Sequence, residues 1–495
     1  MSFYCTQRPR STGLAKPKIH LSPPLLILLA ICAVACLTTV RAATMLDPDP
    51  EPSSTLFGYA VASLGDVNGD GVPDFAVGAP FQDGDFVSVA TGFGYPQNVG
   101  KVFVVDGATL AVLSEMDDPE FQVIQEQHFG GQIGTSLSVS ADINGDGVAD
   151  LIAGVPHHIS NPSDNDLKTI NTGKALVFSG KDGTVLLTFL DPAEQEEGHF
   201  GIAVAALGDV DGDGTADFAV GADGKGIGGD GTSSIKIHSL ENPEEEGTPN
   251  VGEAFVFSGK TGLLIRTLED PSEGYSAAGA HFGASVANAG DVNQDGVTDI
   301  AVGAPGQAKV FVFDGETGTE LYEIDSPIID LIASFGAAIA GGQDFNRDGR
   351  PDLVVGAPLS AGSRGAAYVF NGPTGDLLLT LKAPVVQELA KFGASVYASA
   401  DISGNRRADI IVGAPGQDVN GVAGAGQAYV YDGSRGRLFK TLQSANPQVN
   451  AGFGSSATSA TFSGSKVATP LVGAPCQDSF DTVTHLQIGQ IEISQ

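Results

Sequence analysis

Phe-Gly pairs begin at Phe57, Phe129, Phe200, Phe282, Phe335, Phe392 and Phe453. Each opens a short apolar run, and in five units the run leads into an Asp-rich, Gly-hinged loop and then a Val-Gly-Ala-Pro-like tag. A unit recurring in this register is too small to bury an apolar face alone, so stacked copies have to share a core.

The parts within a unit name the architecture. In the first, Phe57 to Ala62 reads as a strand, Asp66 to Asp74 as a turn loop, Phe75 to Val77 as a second strand and Gly78-Ala79-Pro80 as its end. Lys101 to Val105 is a third strand, Asp106-Gly107 a turn, and Leu110 to Leu113 a fourth strand. The third strand and its turn recur at Ala175 to Gly180, Ala254 to Gly259, Lys309 to Gly315, Ala367 to Gly372 and Ala428 to Gly433. Four short strands with Gly and Asp turns make one propeller blade, which predicts an all-β, seven-bladed β-propeller of four-stranded blades. The last unit stops at a third strand, Gln490 to Ile493, whereas Thr44-Met45-Leu46-Asp47-Pro48 resembles the close of earlier fourth strands, Phe189 to Pro192 and Thr267 to Pro271. The N-terminal strand is therefore expected to complete the last blade. Residues 43–495 then form one domain whose closed ring leaves no long sheet edge.

The loops carry the clearest chemistry. Asp66, Asn68, Asp70 and Asp74 stand at positions 1, 3, 5 and 9, with the Val72 carbonyl at position 7 and Gly71 at the sharp turn. Alternating oxygens over a tight loop suit a hard cation, and a flexible cage of protein oxygens favours calcium over magnesium. The pattern returns as Asp142, Asn144, Asp146, Val148, Asp150, and as Asp209, Asp211, Asp213, Thr215, Asp217. It returns again as Asp291, Asn293, Asp295, Val297, Asp299, and as Asp344, Asn346, Asp348, Arg350, Asp352. About five calcium sites are expected; solvated Asp-Gly turns explain a lone loop well and five in register poorly. In unit six Asp401, Ser403 and Asn405 precede Asp409, but Arg406 replaces the glycine and Arg407 follows, so a weak or empty site is expected there. Phe462 to Pro470 in unit seven has no acidic residue.

Both tags and the loop, matched in register, resemble the FG-GAP repeats of the integrin alpha-subunit head, a seven-bladed propeller. The resemblance covers nearly all the chain beyond residue 42. It implies a calcium-binding module for protein or cell-surface recognition, as in cell adhesion.

Lys plus Arg number 25 against 59 Asp plus Glu, a net charge of −34. Nucleic acid and anionic membrane surfaces need basic patches, so both are disfavoured as partners. Basic residues, an apolar core from Leu25 to Leu37 and Val40-Arg41-Ala42 read as a signal peptide over residues 1–42, with a retained anchor as the alternative. Cleavage would remove Cys5, Cys32 and Cys36 and leave Cys476, with no internal disulfide and no membrane insertion of what remains. No Asn-X-Ser/Thr acceptor occurs, since Asn161 precedes Pro162. A secreted or cell-surface protein, periplasmic if bacterial, is expected.

Adjacent strands being antiparallel, the acidic loops share one face and the two-to-three and four-to-one loops the other. Long second-face loops, Phe81 to Asn98, His157 to Thr172 and Asp223 to Val251, make that face the expected docking surface for an extracellular protein or glycan. His128, His199 and His281 each precede Phe-Gly and could gather a metal or acidic ligand at the channel mouth, although most units lack a histidine there. No Gly-X-Ser-X-Gly, His-Glu-X-X-His, Cys-X-X-Cys or phosphate loop is found, so no enzyme is expected. A carbohydrate-binding or carbohydrate-active propeller is the alternative, opposed by the absence of Trp and the presence of only 9 Tyr.

Overall fold

In the computed structural model the second and third strands of the units are buried at nearly every position, as in Asp74–Ala79, Lys101–Val105, Asp299–Ala304 and Lys309–Phe313. Only a strand covered on both faces tolerates so continuous an apolar run. The fourth strands, such as Val112–Met116 and Glu320–Asp325, alternate between exposed and covered positions, as the outer edge of a blade should. Described are residues 43–46, 55–476 and 490–493, except 83–86, 90–91, 95–97, 121, 125–126, 159–170, 196, 226–250, 273–278, 329, 331 and 463–464. The leader, Asn161 and the acidic tip at 244–246 lie outside them.

Six antiparallel four-stranded blades are each cut from one continuous stretch of chain. Blade one is Ala60–Gly65, Asp74–Ala79, Lys101–Val105 and Val112–Met116. Blades two to six begin at Leu137–Val139, Ala203–Ala206, Ser285–Gly290, Ala338–Gln343 and Ser395–Ser399. A seventh four-stranded sheet is composite: Ser456–Ala460, Thr469–Ala474 and Gln490–Ile493, with Ala43–Leu46 antiparallel to Gln490–Ile493 as its outer strand. Its Ala460 and Leu471, with Met45, pack against Phe57, Phe75 and Phe103 of blade one. The other cores likewise lie between neighbouring sheets, for example Phe282, Ile300 and Phe311 of blade four against Ala219, Val256 and Leu268 of blade three. The one helical segment among the described residues is the turn Ser360–Ser363.

The Phe-Gly pairs differ from expectation. They stand before the first strand rather than inside it. The Phe ring tucks into the interblade core against the third-strand aromatic of its own blade, Phe57 5.6 Å from Phe103 and Phe282 5.8 Å from Phe311. The Gly N–H donates to the carbonyl of the glycine in the same blade's Val-Gly-Ala tag, Gly58 to Gly78 at 3.0 Å and Gly283 to Gly303 at 3.0 Å. That tag glycine has a second duty. A Cβ on Gly413 would lie 1.9 Å from the Gly454 carbonyl oxygen of the next sheet, and one on Gly473 2.0 Å from that of Gly58. Both tags are thus glycine because two backbones touch there.

In unit two the pair is misassigned by sequence. Phe129 belongs to a small hairpin, Gln122–Ile124 with Gln127–Phe129, and the structural counterpart is Ile133-Gly134. Ile133 is buried and bridges Gly100, Gly134 has φ +88°, and its N–H reaches the Gly154 carbonyl at 3.2 Å. Unit two therefore starts four residues later than Phe129. Gln132, not His128, takes the position before the pair.

Candidate metal loops and the opposite face

Each acidic loop connects the first and second strands of its blade, and its shape is written by carboxylates capping backbone N–H groups. Asp66 Oδ1 accepts from Gly69 and Asp70 at 2.7 and 3.0 Å, and its Oδ2 from Gly71 at 2.8 Å. Asn68 and Asp70 cap Asp70 and Val72 in turn. Asp74 is buried and holds Val67 N–H at 2.8 Å and, across the blade, Gly107 N–H at 2.9 Å. The same bonds recur around Asp142 and Asp150, Asp209 and Asp217, and Asp344 and Asp352. Around Asp291 and Asp299 they recur on Asp295, Gly296, Val292 and Gly315. The sixth position has positive φ even where it is not glycine: +87° at Gly71 and +65° at Arg406.

Positions 1, 3 and 5 are largely exposed, whereas position 9 is buried in every one of these loops. Burial pushes the carboxyls of Asp217, Asp299 and Asp352 up to about 6, against the backbone N–H bonds that favour the charged form. A cation beside such a group would relieve that cost. Carboxylate oxygens of Asp209, Asp211 and Asp217 converge within 4.8 Å of one another, as do those of Asp295, Asp299 and Asp314. The other expected residues share the loop geometry without such a three-carboxylate group among the described residues.

Asp314 was not singled out as a candidate ligand by sequence. It lies in the turn between strands three and four, and Asn293 Nδ2 donates to its Oδ2 at 2.9 Å. The equivalent turn residues also meet their loops: Ser179 Oγ stands 3.3 Å from Asp146 Oδ2, Ser258 Oγ 3.3 Å from Asp213 Oδ2, and Asn371 Nδ2 2.6 Å from Asp348 Oδ2. The recurring Asp, Ser or Asn before the turn glycine was the available signal. At unit five Arg350 turns away from its own loop, its guanidinium reaching the Val292 carbonyl at 3.4 Å and Gln294 Oε1 at 3.2 Å in the neighbouring loop. Unit six keeps the loop shape: Asp401 accepts from Gly404, Asn405 and Arg406 at 2.7, 3.0 and 2.6 Å, and Asp409 from Ile402 and Ser403. The acidic side chain at position 5 is nevertheless missing there, Asn405 standing where the other five loops carry Asp, and Ser403 supplies a hydroxyl at position 3.

The opposite face differs between blades. Exposed apolar side chains stand in its loops on the later blades: Ile332, Leu359, Val385, Val386, Leu389 and Val449. On blades two to four it is polar instead, with His157, His199, Asp223 and His281 drawn together. His128 does not take the position equivalent to His199 and His281. Lys225, at the start of the third long loop, is buried against Asp191 Oδ1 at 2.7 Å and Glu253 Oε2 at 3.0 Å. No helix among the described residues is long and apolar enough to cross a membrane.

The FG-GAP repeat model matches residues 57–105, 133–166, 200–237, 282–319, 335–370 and 392–431, its second match starting at Ile133. The chain is 28% identical over 259 residues to integrin alpha pat-2 of Caenorhabditis briggsae, covering 49% of this chain and 19% of that one. It is 35% identical over 158 residues to human integrin alpha-11, covering 28% and 13%. To integrin alpha-V of Gallus gallus it is 30% identical over 244 residues, covering 46% and 20%. The chain thus spans a fifth or less of the length of these relatives. Six matched repeats, the hydrogen-bonded Phe-Gly and Val-Gly-Ala tags and the four-stranded blades place the chain in the FG-GAP repeat family, the family of the integrin alpha propeller.

Proposed function

We propose that this is an extracellular, calcium-loaded recognition propeller, used as the integrin alpha relatives' heads are, for binding a protein or cell-surface ligand rather than for catalysis. Residues 43–495 would form its single domain, with 1–42 as a cleaved leader and the composite sheet as the seventh blade of a closed ring. The observation that carries the metal reading is the convergence of Asp209, Asp211 and Asp217, one of them buried, at a loop repeated in register. Calcium would sit in the five acidic loops, from Asp66–Asp74 to Asp344–Asp352. It would neutralise the buried position-9 carboxylates and stiffen one face.

The ligand would dock on the other face, which carries exposed apolar side chains in the loops of the later blades and the polar cluster on blades two to four. Loops vary in such a scaffold while the blades hold them in place. The test is calorimetric titration of the chelator-stripped protein with calcium, followed by an array of matrix proteins and glycans probed in calcium and in chelator. Tight uptake of several ions and calcium-dependent protein hits are expected. No heat of binding would sink the metal reading, and glycan hits alone would replace the adhesion reading with a lectin.

A further inference from the structure

The polar cluster on blades two to four has a proton count that its geometry fixes. His199, just before Phe200, has Nδ1 3.1 Å from Asp223 Oδ1 and Nε2 3.2 Å from Glu197 Oε2. A neutral imidazole has one N–H and one acceptor nitrogen, so it can satisfy only one of two carboxylates. Both contacts require both ring nitrogens to donate. His281, just before Phe282 in the next unit, brings its Nδ1 to within 3.4 Å of the other oxygen of the same carboxylate, Asp223 Oδ2. Asp223 follows directly on the second strand of blade three, Phe218–Ala222, and is the first residue of the long loop to Val251.

We propose that His199, Asp223 and His281 form a proton-operated clasp, closed when the imidazoles are charged, that fastens the root of the 223–251 loop to blade four and loosens as they deprotonate. The remaining groups facing it are consistent with this. Asn171 Nδ2 holds both Glu197 oxygens at 3.0 Å, aiming that carboxylate at His199. His157 stands edge-on to His199 at 5.4 Å between ring centroids, and burial lowers its pKa, so it adds no competing charge at neutral pH. Lys225 is turned away into its bonds with Asp191 and Glu253. Burial opposes charge on His199, but hydrogen bonds to Asp223 and Glu197 outweigh it and raise its pKa; the Asp223 bond likewise raises that of His281. Asp223, despite its burial, is held down at about 2 by the two imidazoles. Because the folded histidines titrate above their ordinary value near 6.5, the clasp's stabilisation is full below that pH and is lost as pH rises through the folded values.

The test uses the whole calcium-loaded protein with ring-labelled histidine, titrated by NMR from pH 5 to 9, with His199→Gln and His281→Gln to assign the signals. Two histidines should titrate above 6.5, His199 with both nitrogens protonated below its pKa, and Asp223→Asn should bring both down. The melting-temperature gap between wild type and Asp223→Asn should be wider at pH 6 than at pH 8.5. Histidines titrating at or below 6.5, or a gap independent of pH, would overturn the clasp. So would a melting shift on adding micromolar zinc that Asp223→Asn abolishes, since a metal rather than protons would then hold the bridge. The Gln variants and the NMR readout keep the outcome decisive if Asp223→Asn fails to fold.

Discussion

Replacing Lys225 by Met tests how the blades are fastened where their backbones do not touch. The Lys225 ammonium donates to Asp191 Oδ1 at 2.7 Å and the Ala193 carbonyl at 3.1 Å, pairs with Glu253 Oε2 at 3.0 Å, and lies 4.9 Å from the Phe255 ring centroid. Asp191 closes the fourth strand of blade two, so the pair stitches blade two to blade three. Its side chain is 0% exposed, and its second oxygen has no hydrogen-bond partner. Burial raises the Asp191 pKa even with the Lys225 charge beside it. Methionine keeps the stem's volume and removes the cation, leaving an uncompensated buried carboxylate. Breaking such a pair from one side costs about 3–5 kcal/mol. Urea unfolding at pH 7 and fixed calcium should report that loss, and adding Asp191→Asn should restore part of it, because the double variant has no orphaned charge. Lys309→Met is the internal control: its partners Glu323 and Asp325 are 44% and 72% exposed, and about 1 kcal/mol or less is expected. A Lys225→Met loss as small as the control's, or double-variant losses that simply add, would refute the reasoning.

Gly413→Ala should destabilise by about 1–3 kcal/mol or more, because its Cβ would stand 1.9 Å from the Gly454 carbonyl oxygen, with backbone on both sides. Gly212→Ala, at φ +78° with nothing nearby, should cost only the left-handed penalty of about 1–2 kcal/mol; equal urea midpoints for the two variants would contradict the interblade contact. Ile133→Ala should cost about 2–5 kcal/mol, as for any buried aliphatic, whereas a small loss would restore Phe129 as the unit-two anchor. Chelation should lower the melting temperature, since each site at 100 times its dissociation constant adds about 2.7 kcal/mol, and Asp217→Asn should shrink the chelator effect. Arg406→Gly relieves a φ of +65° and should raise stability by about 0.5–1 kcal/mol while leaving calcium stoichiometry unchanged unless Ser403 and Asn405 are also made acidic.

The strand plan was legible because burial on both faces leaves an uninterrupted apolar mark, as in Phe218–Ala222, and because Ala43–Leu46, like the close of earlier fourth strands in sequence, pairs antiparallel with Gln490–Ile493. What sequence misplaced is equally physical. The position before the first strand needs a residue that fills the interblade core, then a left-handed residue whose N–H reaches the tag carbonyl. Ile133-Gly134 does this as well as Phe-Gly, so reading the letters rather than the requirement selected Phe129. The interblade ion pairs and the part of Asp223 in the clasp escaped for another reason: their members sit in different loops, and although the shared place before Phe-Gly links His199 to His281, nothing local in sequence links Asp223 to either or Lys225 to Asp191.

The loops pose the harder question, because one pattern answers two needs. Asp at position 1 and Asp at position 9 cap N–H groups that would otherwise go unpaired, and unit six, with Arg406 at the hinge, keeps the same turn through the same bonds. Repetition of those two residues is therefore evidence for the turn and only indirectly for an ion. The residues that best separate the readings are position 5, Asp in five loops and Asn405 where the ion is expected to be weak or missing, and turn residues such as Asp314 that bring an oxygen from outside the loop. Asp at position 5 also caps a backbone N–H, as Asp70 does for Val72, but a neutral amide could accept that bond as well, and the carboxylate adds negative charge beside a buried position-9 carboxyl whose pKa burial already raises. Five loops hold that unfavourable density of negative charge in place, and a bound divalent cation is what would make it favourable.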